Sequence, residues 1–189
     1  MVKMAFLSNF KEDIKRYIPD SKINIKILIR LVMNRSLIAV AIYRFGHWCY
    51  FINKNILIKW PLKFIYYFLY KILMEFIFGL YMPAECQIGN GLYIGGFCGL
   101  VINPATKIGD YCTIGHGVVI GTAADGTPRA PTIGNNVFIG AGAVVLGGIE
   151  IGANVRIGAN AVVVKNVPDN VTVAGVPAVI IKNNVRTVK

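Results

Sequence analysis

An aliphatic residue recurs every six positions through most of the second half of the chain, usually with a glycine after it. The spacing is six within each of four sets: Ile88, Ile94, Leu100; Ile108, Ile114, Ile120; Ile133, Ile139, Val145; and Ile151, Ile157, Val163. A two-residue insertion near residues 103–104 separates the first two sets, and a longer one at residues 123–131 separates the next two. A short fixed period of this kind indicates a solenoid, in which each repeat packs only on its neighbours.

The physical basis of this period is specific. Each hexapeptide supplies one short strand and one corner, so three of them close a triangular coil. The aliphatic residue points inward and stacks on its counterpart one coil along, about 4.8 Å away. The fifth residue of each hexapeptide also faces inward and is compact: Leu92, Cys98, Cys112, Val118, Val137, Ala143, Ile149, Val155 and Ala161. The sequence therefore predicts a mainly β fold, a parallel β-helix of about four three-sided coils, with its cysteines in the core.

Three motifs carry a resemblance to a known family: IGAGAVVLG at 139–147, IGANAVVVK at 157–165 and VPDNVTVAGVPA at 167–178. They resemble the serine acetyltransferase group of hexapeptide-repeat transferases, and most of all the branch that O-acetylates sugars of capsules and lipopolysaccharides. The resemblance implies a left-handed coil, acetyl-CoA as co-substrate and no metal ion. It also implies a homotrimer with active sites in the clefts between neighbouring β-helices.

The resemblance further assigns four residues to the co-substrate. Gly121, Ala141 and Ala159 match positions along the CoA arm, and Lys165 matches a basic residue near the nucleotide. Small residues are also required at such corners for packing alone, so a structural reading stays open for each.

Two family histidines are absent from this chain. The catalytic histidine of the first full coil falls on Gly96, and a second histidine of the serine acetyltransferases falls on Ala130. His116 is the third residue of its hexapeptide, as Gly96 is, so the repeat stacks the two on one corner in line with Ala141 and Ala159. An imidazole suits proton removal from a hydroxyl nucleophile at neutral pH. His116 is therefore the candidate base, against the alternative of a surface corner residue.

Other polar residues are weaker candidates for the site. Asp110 and Asp125 are possible orienting carboxylates, although aspartate is also common at corners and loops. His47 lies in an apolar helical segment, which favours a packed residue over a base.

The first part of the chain differs in composition from the β-helix. Residues 1–83 carry 13 Lys and Arg against 4 Asp and Glu, a net charge of +9, and hold 17 of the 21 aromatic residues. We therefore divide the chain into an α-helical region, 1–83, and a β-helix domain, 84–189. Helices are predicted at 26–51 and at 64–81, the second beginning after Trp60 and Pro61. Their basic and aromatic residues predict peripheral contact with a membrane surface, and a helical cap that holds the trimer together is the alternative.

These observations together favour an O-acetyltransferase that acts on a sugar hydroxyl in surface-polysaccharide biosynthesis. A serine O-acetyltransferase and a catalytically silent β-helix that binds CoA or a partner are the alternatives. Cysteine spacing and the lack of a signal peptide at the start predict a cytoplasmic protein. The basic, aromatic helices predict that it lies at the inner face of the bacterial membrane. Nucleic acid is not an expected partner, because the basic half is too apolar for a phosphate-tracking surface. A zinc site of the γ-carbonic anhydrase kind would need three histidines, and the repeats hold one.

Overall fold

The structure is a computed structural model that describes residues 2–18, 29, 31, 33–51, 56–96, 99–123 and 129–183, and it describes the backbone alone at 2–8 and 56–58. Within these ranges, three α-helices and one π-helical segment come before fourteen strands. The helices are α1 (Val2–Tyr17), α2 (Arg35–Phe51), α3 (Ile56–Leu69) and the π-helix Tyr70–Ile77.

The strands are short and follow the repeat. The first coil holds β1 (Gln87–Ile88), β2 (Tyr93–Gly95) and β3 (Val101–Ile102). The second holds β4 (Lys107–Ile108), β5 (Thr113–Gly115) and β6 (Val119–Gly121). The third holds β7 (Thr132–Ile133), β8 (Phe138–Ile139) and β9 (Val144–Leu146). The fourth holds β10 (Glu150–Ile151), β11 (Arg156–Ile157) and β12 (Val162–Val163). A closing hairpin consists of β13 (Val171–Gly175) and β14 (Ala178–Asn183).

Three parallel sheets form the three sides of the coil. The first side has the strand order β1-β4-β7-β10, the second β2-β5-β8-β11-β13 and the third β3-β6-β9-β12, while β14 pairs antiparallel with β13. On the second side Ile114 pairs with Ile94 on one flank and Ile139 on the other, and Ile139 pairs with Ile157. The predicted left-handed parallel β-helix is therefore confirmed, with the predicted register.

The interior of the coil is filled as the repeat predicts. All twelve aliphatic residues of the period are buried. The fifth positions are buried as well, except for Ile149, which is partly buried, and Cys98, which lies outside the described residues. Cys112 is fully buried, and burial raises the pKa of its thiol, so it is a core residue and not a nucleophile.

The corner between the first and second sides is held by asparagines. Asn136, Asn154 and Asn170 adopt left-handed backbone conformations with φ of 57°, 58° and 59°. Asparagine tolerates this region better than most residues. The amide of Asn136 donates to Asn154 at 2.8 Å, and that of Asn154 donates to Asn170 at 2.9 Å. A ladder of side chains therefore joins successive coils at this edge.

The predicted helix boundaries in the first region are wrong in two places. The helix predicted at 26–51 is interrupted at residues 33–34. Ile29 and Leu31 are helical, and the Asn34 side chain accepts the backbone N–H of Leu37 at 3.1 Å and caps a new helix that begins at Arg35. Residues 26–28, 30 and 32 of the predicted helix lie outside the described residues.

The second helix was predicted to start at residue 64, but α3 already begins at Ile56 and contains Pro61. Pro61 is the sixth residue of α3, beyond the first turn, so the helix lacks the backbone hydrogen bond that an N–H at this position would donate to the carbonyl oxygen of residue 57. The helix continues as a π-helix to Ile77 and ends before Gly79, which has φ of 59°.

A buried ion pair connects the helices to the first coil. Arg44 of α2 contacts the carboxylate of Asp13 in α1 through Nε at 2.8 Å and Nη2 at 3.1 Å. Arg44 also donates to the carbonyl oxygen of Ile88 at 2.7 Å, and Asp13 accepts the N–H of Leu92 at 2.7 Å.

Helical residues and the first coil share one hydrophobic cluster, and the domain boundary at residue 83 stays a prediction. Among the described helices, none has the length and hydropathy that crossing a bilayer requires.

Candidate active site

The corner between the second and third sides carries the candidate base. It is formed by the residues that follow β2, β5, β8 and β11: Gly96, His116, Ala141 and Ala159. Successive coils are joined here by backbone hydrogen bonds. The N–H of Gly142 donates to the carbonyl oxygen of His116 at 2.8 Å, and the N–H of Asn160 donates to that of Ala141 at 2.9 Å. The predicted alignment of His116 with Gly96 on one side and the two alanines on the other is therefore present in the structure.

The His116 side chain is exposed and lies over Gly96. A Cβ atom added to Gly96 would lie 3.1 Å from Nδ1 and 3.2 Å from Cβ of His116. Gly96 has φ of 88°, a conformation that residues with side chains rarely adopt. The space that a side chain at residue 96 would need is thus bordered by the imidazole of the next coil.

Beyond His116 the corner is a shallow track of small residues. A Cβ atom on Gly115 would lie 2.6 Å from the backbone nitrogen of Ala141, so the two coils meet there backbone against backbone. The same holds at Gly140, where an added Cβ would lie 2.5 Å from the nitrogen of Ala159. Ala141 is half-buried and Ala159 is exposed. Each alanine adds a single methyl group to the track, so a ligand can approach the backbone there.

The other two residues assigned to the co-substrate lie on a different corner. Gly121 ends β6, and its carbonyl oxygen accepts the N–H of Gly147 at 3.0 Å. Lys165 is exposed two residues after the end of β12. Both therefore lie at the far edge of the third side, whereas Ala141 and Ala159 share an edge with His116. The third side separates the two pairs.

The remaining candidates do not join His116. Asp110 follows β4, and its Oδ1 accepts the N–H of Asn90 at 2.7 Å, so it stabilises the asparagine-bearing corner instead of orienting the imidazole. Asp125 lies outside the described residues. His47 is half-buried, its Nδ1 lies 2.8 Å from the carbonyl oxygen of Ala84, and burial lowers its pKa below the ordinary 6.5. It is a packed residue, as predicted.

Sequence reasoning missed one neighbour of the candidate base. Ser36, in the first turn of α2, donates its hydroxyl to the carbonyl oxygen of Gly96 at 2.9 Å. The start of α2 therefore rests against the corner where His116 lies. A correct start for α2 would have pointed to a polar first turn, but nothing in the repeat indicates which corner that turn contacts.

A polar cleft of about 600 Å³ follows the opposite edge of the second side, next to the asparagine ladder. Its lining includes Arg16, Thr113 and Arg156. The guanidinium of Arg16 donates to the Thr113 hydroxyl at 2.8 Å and to two backbone carbonyl oxygens, so α1 closes one end of this cleft. In the part of the chain that the structure describes, no cluster of three His, Cys, Asp or Glu side chains could hold a metal ion.

Comparisons with known proteins agree with this architecture. A family model described as "Bacterial transferase hexapeptide (six repeats)" matches residues 130–165. A serine acetyltransferase of Synechococcus elongatus is 38% identical over 150 residues, which are 78% of this chain and 58% of that enzyme. The Escherichia coli K12 protein named "Putative colanic acid biosynthesis acetyltransferase WcaB" is 38% identical over 138 residues, 72% of this chain and 84% of that protein.

A solved structure resembles nearly the whole chain. The serine acetyltransferase of Brucella abortus, in complex with coenzyme A, superposes with a TM-score of 0.79 and 31% identity, covering 95% of this chain and 69% of that one. The chain thus spans little more than half of the Synechococcus enzyme but most of the Escherichia coli protein. With its repeat, its register and these relatives taken together, the chain belongs to the hexapeptide-repeat transferases, in the group that contains the serine acetyltransferases.

Proposed function

We propose that this protein is an acetyl-CoA-dependent O-acetyltransferase in which His116 acts as the general base. The observation that carries the proposal is the exposed imidazole of His116 above Gly96, in line with Ala141 and Ala159. One proton acceptor at the head of a track of small residues is what acyl transfer to a hydroxyl requires. The related Brucella enzyme binds coenzyme A in its crystal structure, which supports the same co-substrate here.

The chain's own residues account for the proton transfer. His116 accepts the proton of the acceptor hydroxyl as its oxygen attacks the thioester carbonyl carbon. Backbone N–H groups of the glycine-rich corner are suited to hold the negative charge that develops on the carbonyl oxygen. His116 then returns the proton to the departing sulfur as the carbon–sulfur bond breaks. The products are an O-acetyl ester and free CoA, so no proton is gained or lost.

The co-substrate is proposed to lie along both edges of the third side. The pantetheine arm runs over Ala141 and Ala159, where the backbone is approachable, and Gly121 and Lys165 serve the far edge. A single β-helix leaves this track open to solvent. We therefore propose that the active protein is a homotrimer, in which the neighbouring β-helix forms the second wall of the cleft.

A sugar hydroxyl is the proposed acceptor, in the biosynthesis of a surface polysaccharide. This is supported by the Escherichia coli protein named for colanic acid biosynthesis, which the chain matches over 84% of its length. The absence of histidine at Ala130 also weighs against free serine. Serine remains the second candidate, because the chain resembles serine acetyltransferase structures over 95% of its own length. We place the reaction in the cytoplasm, consistent with buried free thiols at Cys86 and Cys112.

An acetyl-CoA turnover screen tests the proposal. Wild-type protein is offered nucleotide sugars, lipid-linked saccharides and serine, and CoA release is measured with each acceptor. Turnover with a saccharide and not with serine is expected; the reverse result would establish the serine O-acetyltransferase. If CoA binds but no acceptor turns over, the catalytically silent β-helix is the correct reading.

A matched pair of variants tests the proposed path of the pantetheine arm. Ala159→Phe should raise the KM for acetyl-CoA about tenfold or more, because a ring there covers the track. Ala153→Phe is the control, since Ala153 is the third residue of its hexapeptide, as Ala159 is, but lies on the corner between the first and second sides. Equal KM values in the two variants would contradict the proposed path.

A further inference from the structure

The segment formed by α3 and the π-helix has apolar residues on every side and four charged ones, Lys59, Lys63, Lys71 and Glu75, yet one stripe of it packs against the protein. Met74 and Tyr70 are buried, and Leu73 and Tyr66 are packed against the hydrophobic core. A helix that is apolar on all sides normally lies inside a protein or against another apolar phase. The opposite stripe therefore needs an explanation.

That opposite stripe consists of exposed large side chains at helical spacing, and we name it the aromatic face: Trp60, Phe64, Tyr67, Phe68, Ile72 and Phe76. The exposed fractions reach 73% for Trp60, 70% for Phe64 and 89% for Phe76. With roughly 200 Å² for a whole aromatic side chain, its five rings alone expose about 700 Å². This exceeds the largest apolar patch that a typical monomeric protein presents.

The charges around the aromatic face are mainly positive. Lys63 lies on the same helix, with Nζ 5.0 Å from the ring centre of Tyr50, and Lys71 pairs with Glu75 at 2.7 Å. Residues 1–83 as a whole carry a net charge of +9. Aromatic rings interleaved with lysines are typical of helices that lie in the headgroup region of anionic bilayers. A second copy docking through the same face would instead bring the positive charges of both chains together.

A cleft between α2 and α3 opens on the aromatic face. It has a volume of about 450 Å³, and Cys49, Tyr50, Trp60 and Phe64 are among the residues that line it. Cys49 is buried, and burial raises the pKa of its thiol to about 11, so the thiol is unreactive. Aromatic side chains dominate the lining, and Lys63 and Glu85 are its charged members. A concave space beside exposed rings can admit part of a lipid acyl chain. A flat protein surface has no protruding group that would fill such a space.

We infer that the aromatic face is a docking surface for an anionic phospholipid bilayer, with α3 and the π-helix lying parallel to the membrane. The inference does not depend on any reaction. It does position the candidate active site, because α2 runs from Ser36, which contacts Gly96, to Cys49 in the cleft. At 1.5 Å per helical residue, the His116 corner lies about 20 Å from the membrane-facing cleft.

Co-sedimentation of the full chain with vesicles tests the docking surface. Vesicles that contain phosphatidylglycerol should retain the wild type, vesicles of phosphatidylcholine alone should retain less, and high salt should weaken the binding. Phe64→Ser and Phe76→Ser should each lower the partition coefficient about tenfold or more, because an exposed ring no longer enters the interface. Ile181→Ser is the matched control, since Ile181 is 62% exposed on the closing hairpin. Equal binding of all variants would overturn the inference.

Tryptophan fluorescence separates a membrane from a second copy of the chain. Trp48→Phe leaves Trp60 as the single tryptophan. Its emission should shift to shorter wavelength when phosphatidylglycerol vesicles are added and should be quenched by brominated lipid chains. A shift that appears without vesicles and grows with protein concentration would show that the face is a subunit interface. That result, or the absence of any shift with vesicles, would overturn the inference.

Discussion

Replacement of Arg44 by methionine should destabilise the protein more than any single change on its surface. The Arg44 and Asp13 side chains are 2% and 0% exposed, and the guanidinium contacts both carboxylate oxygens. Arg44 also donates to the carbonyl oxygens of Ile88 and Gly89 in the first coil. Methionine has a similar length but provides no donor. The variant therefore leaves the Asp13 carboxylate buried, and among the described residues the N–H of Leu92 is its remaining hydrogen-bond partner.

The expected loss is about 4 kcal/mol of the free energy of unfolding, since removing one member of a buried ion pair typically costs about 3–5 kcal/mol. The double variant Asp13→Asn/Arg44→Met removes the buried charge but keeps an acceptor for Leu92. It should therefore recover about 2 kcal/mol relative to Arg44→Met alone, because a buried neutral amide costs less than a buried carboxylate.

Urea unfolding followed by the helical circular dichroism signal measures these differences. Every variant is compared at one protein concentration, because the proposed homotrimer would make unfolding concentration-dependent. The wild type, both single variants and the double variant form a double-mutant cycle. The reasoning would be refuted if Arg44→Met unfolded within about 0.5 kcal/mol of the wild type. It would also be refuted if the double variant were no more stable than Arg44→Met.

Three further predictions follow from the same structure. Gly115→Ala should lower the free energy of unfolding, measured in urea, by about 1–3 kcal/mol, because its Cβ would lie 2.6 Å from a backbone nitrogen. Gly95→Ala is the control at the same repeat position one coil earlier; its Cβ would meet nothing closer than 3.6 Å, so it should be neutral. Burial lowers the pKa of His47 below 6.5, so its contribution to stability is present above pH 6.5 and is lost as the pH falls through the lowered value. The melting temperature of His47→Gln should therefore fall less than that of the wild type when the pH is lowered over this range. Gly96→Ala should destabilise the chain, because residue 96 has φ of 88°, and should displace the imidazole of His116, because the new methyl would lie 3.1 Å from Nδ1. The displacement should change the NMR signal of the histidine. An unchanged signal together with unchanged stability would contradict the described corner.

The β-helix was predictable in detail because its packing is local and periodic. Each inward residue contacts the same position one coil away, so the six-residue spacing alone predicts both burial and register. The pairing of Ile94, Ile114, Ile139 and Ile157 follows directly from that rule. The hand of the coil does not follow from the period, and it came from the family resemblance.

The helical region was less predictable because its sequence lacks a polar stripe. Apolar residues on all sides of α3 mark neither its first residue nor its packed face. The start of α2 depends on one hydrogen bond, from the Leu37 N–H to the Asn34 side chain. Pro61 suggested a helix start after it, but α3 continues through Pro61 from Ile56 to Leu69.

The candidate site was predictable in its alignment but not in its contacts. The repeat aligned His116 with Gly96, Ala141 and Ala159, whereas the closeness of the imidazole to residue 96 depends on side-chain direction and on the φ of Gly96. The contact from Ser36 comes from a region of the chain that the repeat does not describe. Gly121 and Lys165 were grouped with the alanines by resemblance, although their repeat positions belong to another corner.

Turnover by His116 variants tests the central claim most directly. With an acceptor that the wild type acetylates, kcat should fall about a hundredfold or more in His116→Ala and in His116→Gln, which is the usual worth of a general base. The dissociation constant for CoA should change little in either variant, because the track of small residues remains. If His116→Ala retains the wild-type kcat with the same acceptor, His116 is not the base, and the account of the active site is contradicted.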